Sequence, residues 1–289
     1  MGDDGAAGVL AGHMVRAIRL LRQLLPAVDV AWEVADARAP RASRSPGLAR
    51  VCGDKPRVVI LAKRDLAEAA VTAAWLARLR RDTPAVALDL AGGTADLDAL
   101  WRATAEALLR SGRRRPSESW RAIVLGMPNT GKSTLLNRVS GGRHAAVGAV
   151  PGVTRGQQWI RLPAGGRVCD LPGVLPPRLG LWPVAWRLWA IGAIGPAQVD
   201  SERAAEALLD WVAVRSPRTL EARYGLDAEV SPYLGRVAAA RGWLLPGGLP
   251  DPGRAAAGVL ADWRRGLLGC ISLEDPGGEV GDDANADGA

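Results

Sequence analysis

The stretch Gly126-Met127-Pro128-Asn129-Thr130-Gly131-Lys132-Ser133 decides the fold, because it has the GxxxxGK[ST] spacing of a phosphate-binding loop. It follows a short apolar run and leads into the helical pattern TLLNRV, which is the strand–loop–helix context that the motif requires. Glycines at both ends let the backbone curl so that successive N–H groups face an anion. The segment therefore predicts a site for a nucleoside triphosphate with Mg²⁺, bound by Asn129, Thr130, Gly131, Lys132, Ser133 and Thr134.

Two segments downstream of the loop extend this prediction. Lys132 is expected to reach the β- and γ-phosphates, and the Ser133 hydroxyl to ligate Mg²⁺. Thr154, in PGVTRG, can complete the Mg²⁺ shell and sense the γ-phosphate. Asp170 and Gly173 belong to DLPG, where the carboxylate can hold Mg²⁺ through water and the glycine N–H faces the γ-phosphate. In this order the set favours a nucleotide switch in which Lys132, Thr154 and Gly173 serve catalysis.

A base-reading motif stands before the phosphate loop rather than after it. GTPases recognise guanine with [N/T]KxD, whose aspartate accepts hydrogen bonds from the base while the lysine stem packs on the ring. The segment Leu61-Ala62-Lys63-Arg64-Asp65 supplies KxD at the end of an apolar run. Ligands of a doubly wound sheet bind at the carboxyl ends of its strands, so spatial position matters more than chain order. Lys63 and Asp65 are therefore predicted to bind guanine in a circularly permuted fold, with the basic linker 111–119 joining the original ends.

The pattern of apolar residues divides the chain. Short apolar runs alternate with helical patterns in the first half, which predicts a parallel α/β sheet. Beyond Pro177 the pattern is helical, and Trp182, Trp186 and Trp189 share one helix face, as is typical of packing surfaces. The sequence thus predicts a doubly wound α/β domain over residues 1–178, a smaller all-helical domain over 179–275 and a disordered acidic tail over 276–289.

These motifs together resemble a known family. A guanine motif ahead of GMPNTGKS, followed by PGVTRGQQW and DLPG, resembles the circularly permuted GTPases, specifically the ribosome biogenesis GTPase A (YlqF-type) family. The segments GHM (12–14), DARAP (36–40), KPR (55–57) and RYGL (223–226) support it, so the resemblance covers nearly the whole chain. It implies a P-loop GTPase domain, slow until the ribosomal subunit stimulates it. It also implies that the protein assists maturation of the large ribosomal subunit and binds rRNA through the helical domain.

Two positions depart from common GTPase patterns. Ala62 stands where the family has Asn, and the lost hydrogen bond between base and loop costs about 0.5–1.5 kcal/mol. Val174 stands where many Ras-like GTPases have a water-orienting Gln, so another group must orient the water. The resemblance implies His13 for this role, with a surface or N-cap histidine as the alternative. Asn129 lies where other GTPases bind K⁺ near the phosphates, which makes K⁺ a further expected cofactor.

The charge distribution bears on the partner. The net charge is +7, and removing the six acids of residues 271–289, a segment without a base, raises it to +13 for the rest. A body this basic fits a polyanionic partner, with nucleic acid first and an anionic membrane second, and it fits a solvated basic surface equally well. Three widely spaced cysteines exclude a disulfide scaffold and a Cys-rich zinc site, and favour a reducing cytoplasm.

We therefore expect a cytoplasmic monomer that binds the large ribosomal subunit and its rRNA, without stable membrane association. The apolar stretch 179–199 is broken by two prolines and an arginine, so it lacks the roughly 18 uninterrupted apolar residues that a spanning helix needs. Two alternatives stay open. One is a GTP-binding assembly placeholder with negligible hydrolysis, and the other is a membrane-associated permuted GTPase that uses the Trp-rich segment 182–189.

Overall fold

The computed structural model describes residues 15–92, 97–112, 120–141, 146–147, 159–163, 165–171 and 182–277. The strands are β1 (Val30–Asp36), β2 (Arg57–Ala62), β3 (Ala85–Leu88), β4 (Arg121–Leu125), β5 (Ala146–Val147), β6 (Trp159–Arg161) and β7 (Arg167–Asp170). The helices are α1 (residues 15–24), α2 (Pro46–Cys52), α3 (Ala69–Leu79), α4 (Leu97–Arg110), α5 (Lys132–Val139), α6 (Trp182–Ile191), α7 (Ser201–Arg215), α8 (Pro217–Tyr224), α9 (Leu234–Ala240) and α10 (Pro252–Arg264). The predicted boundary near residue 178 and residues 278–289 of the tail predicted over 276–289 lie outside the described residues.

The strands form one seven-stranded sheet in the order β3-β2-β1-β4-β7-β6-β5. Neighbours from β3 to β7 in this order are parallel, and β6 and β5 add an antiparallel edge. The central strand β4 lies between β1, which precedes it in the chain, and β7, which follows it. The α/β prediction is thus confirmed, with a mostly parallel sheet whose chain order fits circular permutation.

Strand β1 shows why both faces of the sheet are covered by helices. Successive side chains of a strand point to opposite faces of the sheet, and every residue of β1 is buried. Both faces of the sheet are therefore covered at β1. On one face Trp32 packs with Trp101 of α4 and with Trp120, at ring-centroid distances of 5.8 and 5.9 Å. On the other face Ala31 packs with residues of α1 and α2. Two-sided burial of this kind is what parallel sheets require.

Helices α6 to α10 pack around a hydrophobic core that also takes in Ala39 and Ala42 of the loop after β1 and Met127 of the phosphate loop. Trp186 and Trp189 are buried in this core, and Trp182 is partly buried beneath the guanidinium of Arg203, 3.9 Å from the ring centroid. The tryptophan stripe is therefore a packing surface, as its spacing predicts. Within the described part of the chain, no helix is long and apolar enough to cross a membrane.

The segment that follows α10, residues 268–277, returns to the sheet and is called the strap here. Glu274, only 8% exposed, accepts hydrogen bonds from the backbone N–H groups of Arg41 (2.6 Å) and Ala42 (2.9 Å). The Leu273 N–H donates to the carbonyl of Arg38 at 2.7 Å. These contacts tie the end of the helical region to the loop that follows β1.

The strap also links α7 to Glu68, the residue that precedes α3. Arg215 of α7 donates two hydrogen bonds to the carboxylate of Asp275, at 2.9 and 3.0 Å, and pairs with Glu68 at 3.3 Å. The Ser272 N–H donates to Glu68 at 3.2 Å, and the Trp211 indole N–H donates to the Ser272 carbonyl at 2.9 Å. Glu274 and Asp275, the first two acids counted in the acidic segment, thus have specific partners.

We expect Glu274→Ala to lower the free energy of unfolding by about 2 kcal/mol, because two backbone donors lose their acceptor. Urea denaturation followed by tryptophan fluorescence measures this change. The matched control is Glu221→Ala, which removes an exposed glutamate from α8 and should change stability by less than about 0.5 kcal/mol. Equal stability of the two variants would contradict a structural role for the strap.

Candidate active site

The phosphate loop connects β4 to α5 and packs directly against two neighbouring strands. Gly126 has a φ of 148°, and a Cβ at this position would lie 2.4 Å from the carbonyl oxygen of Val34 in β1. Gly131 has a φ of 108°, and its Cβ would lie 3.1 Å from that of Ala62 at the end of β2. Gly126 is therefore required by close approach and by its positive φ, and Gly131 is required mainly by its positive φ, because its contact with Ala62 is tight but not prohibitive.

Lys132 is held on the loop itself. Its Nζ donates to the carbonyl of Met127 at 2.8 Å, and the Thr130 hydroxyl donates to the same oxygen at 2.9 Å. Burial lowers the pKa of Lys132, and the carboxylate of Asp170 opposes that shift. A phosphate group within reach of this ammonium would stabilise its charged form.

The residues that could hold Mg²⁺ lie beside this lysine. Ser133 and Thr134 are exposed in the first turn of α5, where the helix dipole is positive, and Asp170 is exposed at the end of β7. Burial raises the pKa of Asp170, and Lys132 lowers it in part. Among the described residues no group of three or more His, Cys, Asp or Glu could hold a metal. A hydroxyl and a carboxylate fit Mg²⁺, which takes few protein ligands and completes its shell with phosphate oxygens and water.

Lys63 and Asn129 bring the base motif and the phosphate loop together. Both have a φ of 59°, and they are the non-glycine residues with positive φ in the part of the chain that the structure describes. The Lys63 Nζ donates to the carbonyl of Asn129 at 2.7 Å. Such left-handed residues cost energy and concentrate at functional sites. The structure thus places the predicted base and phosphate motifs side by side.

Asp65 is exposed beyond Lys63, in the short 3₁₀ turn Arg64–Leu66. Partial burial raises its pKa, and the nearby carboxylate of Asp89 raises it further. The strap reaches this turn, because the Cys270 thiol donates to the backbone carbonyl of Asp65 at 3.1 Å. A carboxylate in this setting favours a ligand that offers hydrogen-bond donors, as the guanine edge does.

An open cavity of about 480 Å³ lies between α5 and the loop that follows β3. Its lining includes Thr134, one of the predicted nucleotide ligands, and Arg138. The Arg138 guanidinium donates to the carbonyls of Leu90 (2.9 Å), Ala91 (3.2 Å) and Gly92. This arginine therefore fixes the β3 loop on the phosphate-loop helix.

Sequence reasoning missed two contacts of the site. The amide Nδ2 of Asn129 donates to the carbonyl of Gly192 at 2.7 Å, which joins the phosphate loop to the end of α6. The carboxylate of Asp36 lies 2.9 Å from the Lys63 Nζ. A polar residue that ends a buried strand beside a base motif was the signal available for Asp36. His13, Thr154 and Gly173, also predicted for the site, lie outside the described residues, as does Val174.

Comparisons with known proteins agree with this geometry. A family model described as "50S ribosome-binding GTPase" matches residues 121–213. Ribosome biogenesis GTPase A of Priestia megaterium is 31% identical over 275 residues, which cover 92% of this chain and 95% of the relative. Ribosome biogenesis GTPase A of Thermotoga maritima is 29% identical over 265 residues, which cover 92% and 93% of the two chains.

Solved structures show the same relationship. GNP-bound YlqF from T. maritima has a TM-score of 0.66 at 25% identity and covers 91% of this chain and all of that one. A GDP-bound YlqF structure has a TM-score of 0.64 at 26% identity, with 89% and 98% covered. The permuted order of the strands, the phosphate loop and the likeness along nearly the full chain lead to one conclusion: this chain belongs to the ribosome biogenesis GTPase A family and is a GTP-hydrolysing enzyme.

Proposed function

We propose that this GTPase is a switch that binds rRNA of the large ribosomal subunit in its GTP state and leaves after hydrolysis. The observation that carries the nucleotide part is the contact of Lys63 with Asn129, which joins a KxD segment to a phosphate loop. The nucleotide then lies with its base near Asp65 and its phosphates at Lys132. The roles assigned to Thr130, Gly131, Ser133 and Thr134 follow from their places in the loop.

Asp65 is proposed to select guanine. Asp65→Asn should weaken GDP binding by about 100-fold, because a neutral amide cannot accept hydrogen bonds from both N1–H and the amino group. The same variant should gain affinity for xanthosine diphosphate, whose C2 carbonyl accepts from the new amide. Calorimetric titration with both nucleotides measures the switch.

The control for this experiment is Asp82→Asn, which neutralises an exposed aspartate beyond α3. It should leave the affinities for both nucleotides unchanged. If Asp65→Asn loses GDP without any gain for the xanthine nucleotide, Asp65 does not read the base.

Ser133, Asp170 and Thr154 are proposed to hold Mg²⁺. The metal would supply positive charge at the β- and γ-phosphate oxygens. Lys132 supplies a second charge from the loop, and the Gly173 N–H is proposed to face the γ-phosphate. His13 is proposed to orient the attacking water, because Val174 cannot. An unchanged subunit-stimulated rate for His13→Ala would exclude that role.

K⁺ is proposed as a further cofactor beside Asn129, where it would add charge near the phosphates as an arginine finger does. The hydrolysis rate in KCl should exceed the rate in NaCl of equal concentration by about tenfold, a small part of the effect of an arginine finger. Asn129→Gly should abolish the difference, because it removes the amide and tolerates the φ of 59°. Equal rates of the unaltered protein in the two salts would rule out the K⁺ site.

The proposed rRNA contacts are exposed arginines. Arg16, Arg19 and Arg22 share the exposed face of α1, and Arg254 and Arg265 are exposed at the two ends of α10. Two further arginines of the helical region have internal partners. Arg241 lies over the Tyr224 ring and 3.8 Å from Asp262, and Arg264 donates to the Trp189 carbonyl at 3.1 Å. The RNA contacts are therefore assigned to the other five.

Sedimentation with large ribosomal subunits tests the switch. The protein should sediment with the subunit in a non-hydrolysable GTP analogue and remain unbound in GDP. Arg19→Glu with Arg22→Glu should weaken binding about 100-fold at moderate salt, because each change reverses a phosphate contact. The control is Arg81→Glu, an exposed arginine beyond α3 that should have no effect. Binding that is equal in both nucleotides would contradict a GTP-gated interaction.

The two alternatives make different predictions. A GTP-binding placeholder would release no phosphate above background even with subunits present, so steady-state phosphate release separates it from a switch. The membrane-associated alternative relied on an apolar face of residues 182–189. Trp186 and Trp189 are buried in the helical core, which leaves that face covered. Liposome flotation would test what is left of this alternative. A cytoplasmic monomer is the state that we propose for the protein.

A further inference from the structure

Asp36, the last residue of β1, is a buried carboxylate to which the proposed nucleotide site assigns no role. Its side chain is 0% exposed. It pairs in register with Ala62 of β2, so it lies beside the residue that precedes Lys63. Its backbone N–H donates to the Ser43 hydroxyl at 2.9 Å, which fixes the main chain at this point. Burial of a charged group is costly unless it is paired, so its partners indicate its purpose.

Arg38 fixes the orientation of this carboxylate. The guanidinium donates to both Asp36 oxygens at 2.9 and 2.8 Å, and the Arg38 backbone N–H donates to one of them at 3.1 Å. Arg38 is itself buried beneath the Trp263 ring of α10, 5.2 Å from its centroid. A bidentate pair in a buried setting leaves the carboxylate one geometry. Burial by itself would raise the pKa of Asp36, but Arg38 and Lys63 hold that pKa well below its usual range.

The Lys63 ammonium is the second partner, and it is only partly buried. Its Nζ lies 2.9 Å from the Asp36 oxygen that Arg38 also contacts, and it donates to the Asn129 carbonyl at 2.7 Å. Lys63 is strained at a φ of 59°, and an exposed lysine chain has many rotamers to lose. The neighbouring Ala62 has no polar side-chain atom, so Lys63 carries the polar link from this segment to the phosphate loop.

We infer that Asp36 is a positioning residue for nucleotide binding, which holds the Lys63 ammonium on the Asn129 carbonyl and thereby sets the lysine stem where the base packs. This inference rests on the proposed role of Lys63 at the base. Asp36 itself touches neither base nor phosphate and acts only through the lysine.

A double-mutant cycle with GDP affinity as the readout tests the inference. Asp36→Asn should weaken GDP binding about tenfold, because Lys63 loses its charged partner. Lys63→Met keeps an apolar stem and removes the ammonium. In the Lys63→Met background, Asp36→Asn should have less than a twofold further effect. A purely structural role of Asp36 would give the same loss in both backgrounds, so the non-additivity distinguishes positioning from folding.

The matched control is Glu33→Gln on the same strand. Glu33 is also buried and accepts two hydrogen bonds from Arg44, both at 3.0 Å, but it has no contact with Lys63. Its loss should change GDP affinity by less than twofold in either background. If it weakens binding as much as Asp36→Asn does, the effect reports the buried pair rather than the lysine, and the inference is overturned.

Folding of the variants is checked by near-ultraviolet circular dichroism. If Asp36→Asn does not fold because Arg38 is left unpaired, the same cycle is run with Arg38→Met present throughout, which removes the buried cation. If Asp36→Asn then lowers GDP affinity equally with Lys63 and with Lys63→Met, the inference is overturned. If it lowers GDP affinity only where Lys63 is present, the inference is supported. Failure of the unaltered protein to bind GDP would instead refute the proposed site, which keeps the two failures distinct.

Discussion

The parallel pairing of β1 with β4 is the constraint on which the site depends. Residues Val30 to Glu33 pair with Ala122 to Leu125. The chain between these two strands contains β2, β3 and the longer helices α3 and α4. This pairing sets the carboxyl end of β1 beside the phosphate loop, where Gly126 leaves no room for a side chain against Val34. Because β2 pairs with the other side of β1, its end arrives at the same edge with Lys63 and Asp65. The permuted order therefore changes which segments are covalently joined, but the same segments still lie next to one another at the site.

The helical region also contacts the nucleotide site at the phosphate loop. Asn129 donates its side-chain amide to Gly192 after α6, and its backbone carbonyl accepts from Lys63. Arg264 of α10 donates to the backbone carbonyl of Trp189 near the end of α6. A Cβ at Gly192 would lie 2.7 Å from the Arg264 guanidinium. Asn129 thus contacts the base motif through its backbone and the helical region through its side chain. A change in its conformation cannot be confined to the loop.

The sequence predicted the parts of this site that depend on local spacing. The phosphate loop and KxD could be recognised because each lies within a few residues, and the strand ends placed them at one edge of the sheet. The contact of Asn129 with Gly192 and the strap could not be predicted, because each joins groups far apart in the chain without a periodic signal. Glu274 and Ala42, for example, are separated by 232 positions. For Asp36 the end of β1 indicated a place near the base motif, but nothing in the spacing indicated that its partner is Lys63. The short helices α2 and α8 were also missed, although each begins with a proline in its first turn, which is a known start signal.

The strap has a consequence for the order in which the protein is made. The backbone donors of Arg41 and Ala42 have Glu274 as their acceptor, and at about 5–20 residues per second the ribosome adds that residue roughly 10–50 s after them. The loop after β1, whose Asp36 neighbours the base motif, therefore completes its hydrogen bonding only when translation has passed α10. During synthesis from the N-terminus, the loop beside the base motif therefore lacks its Glu274 acceptor until the helical region has been translated.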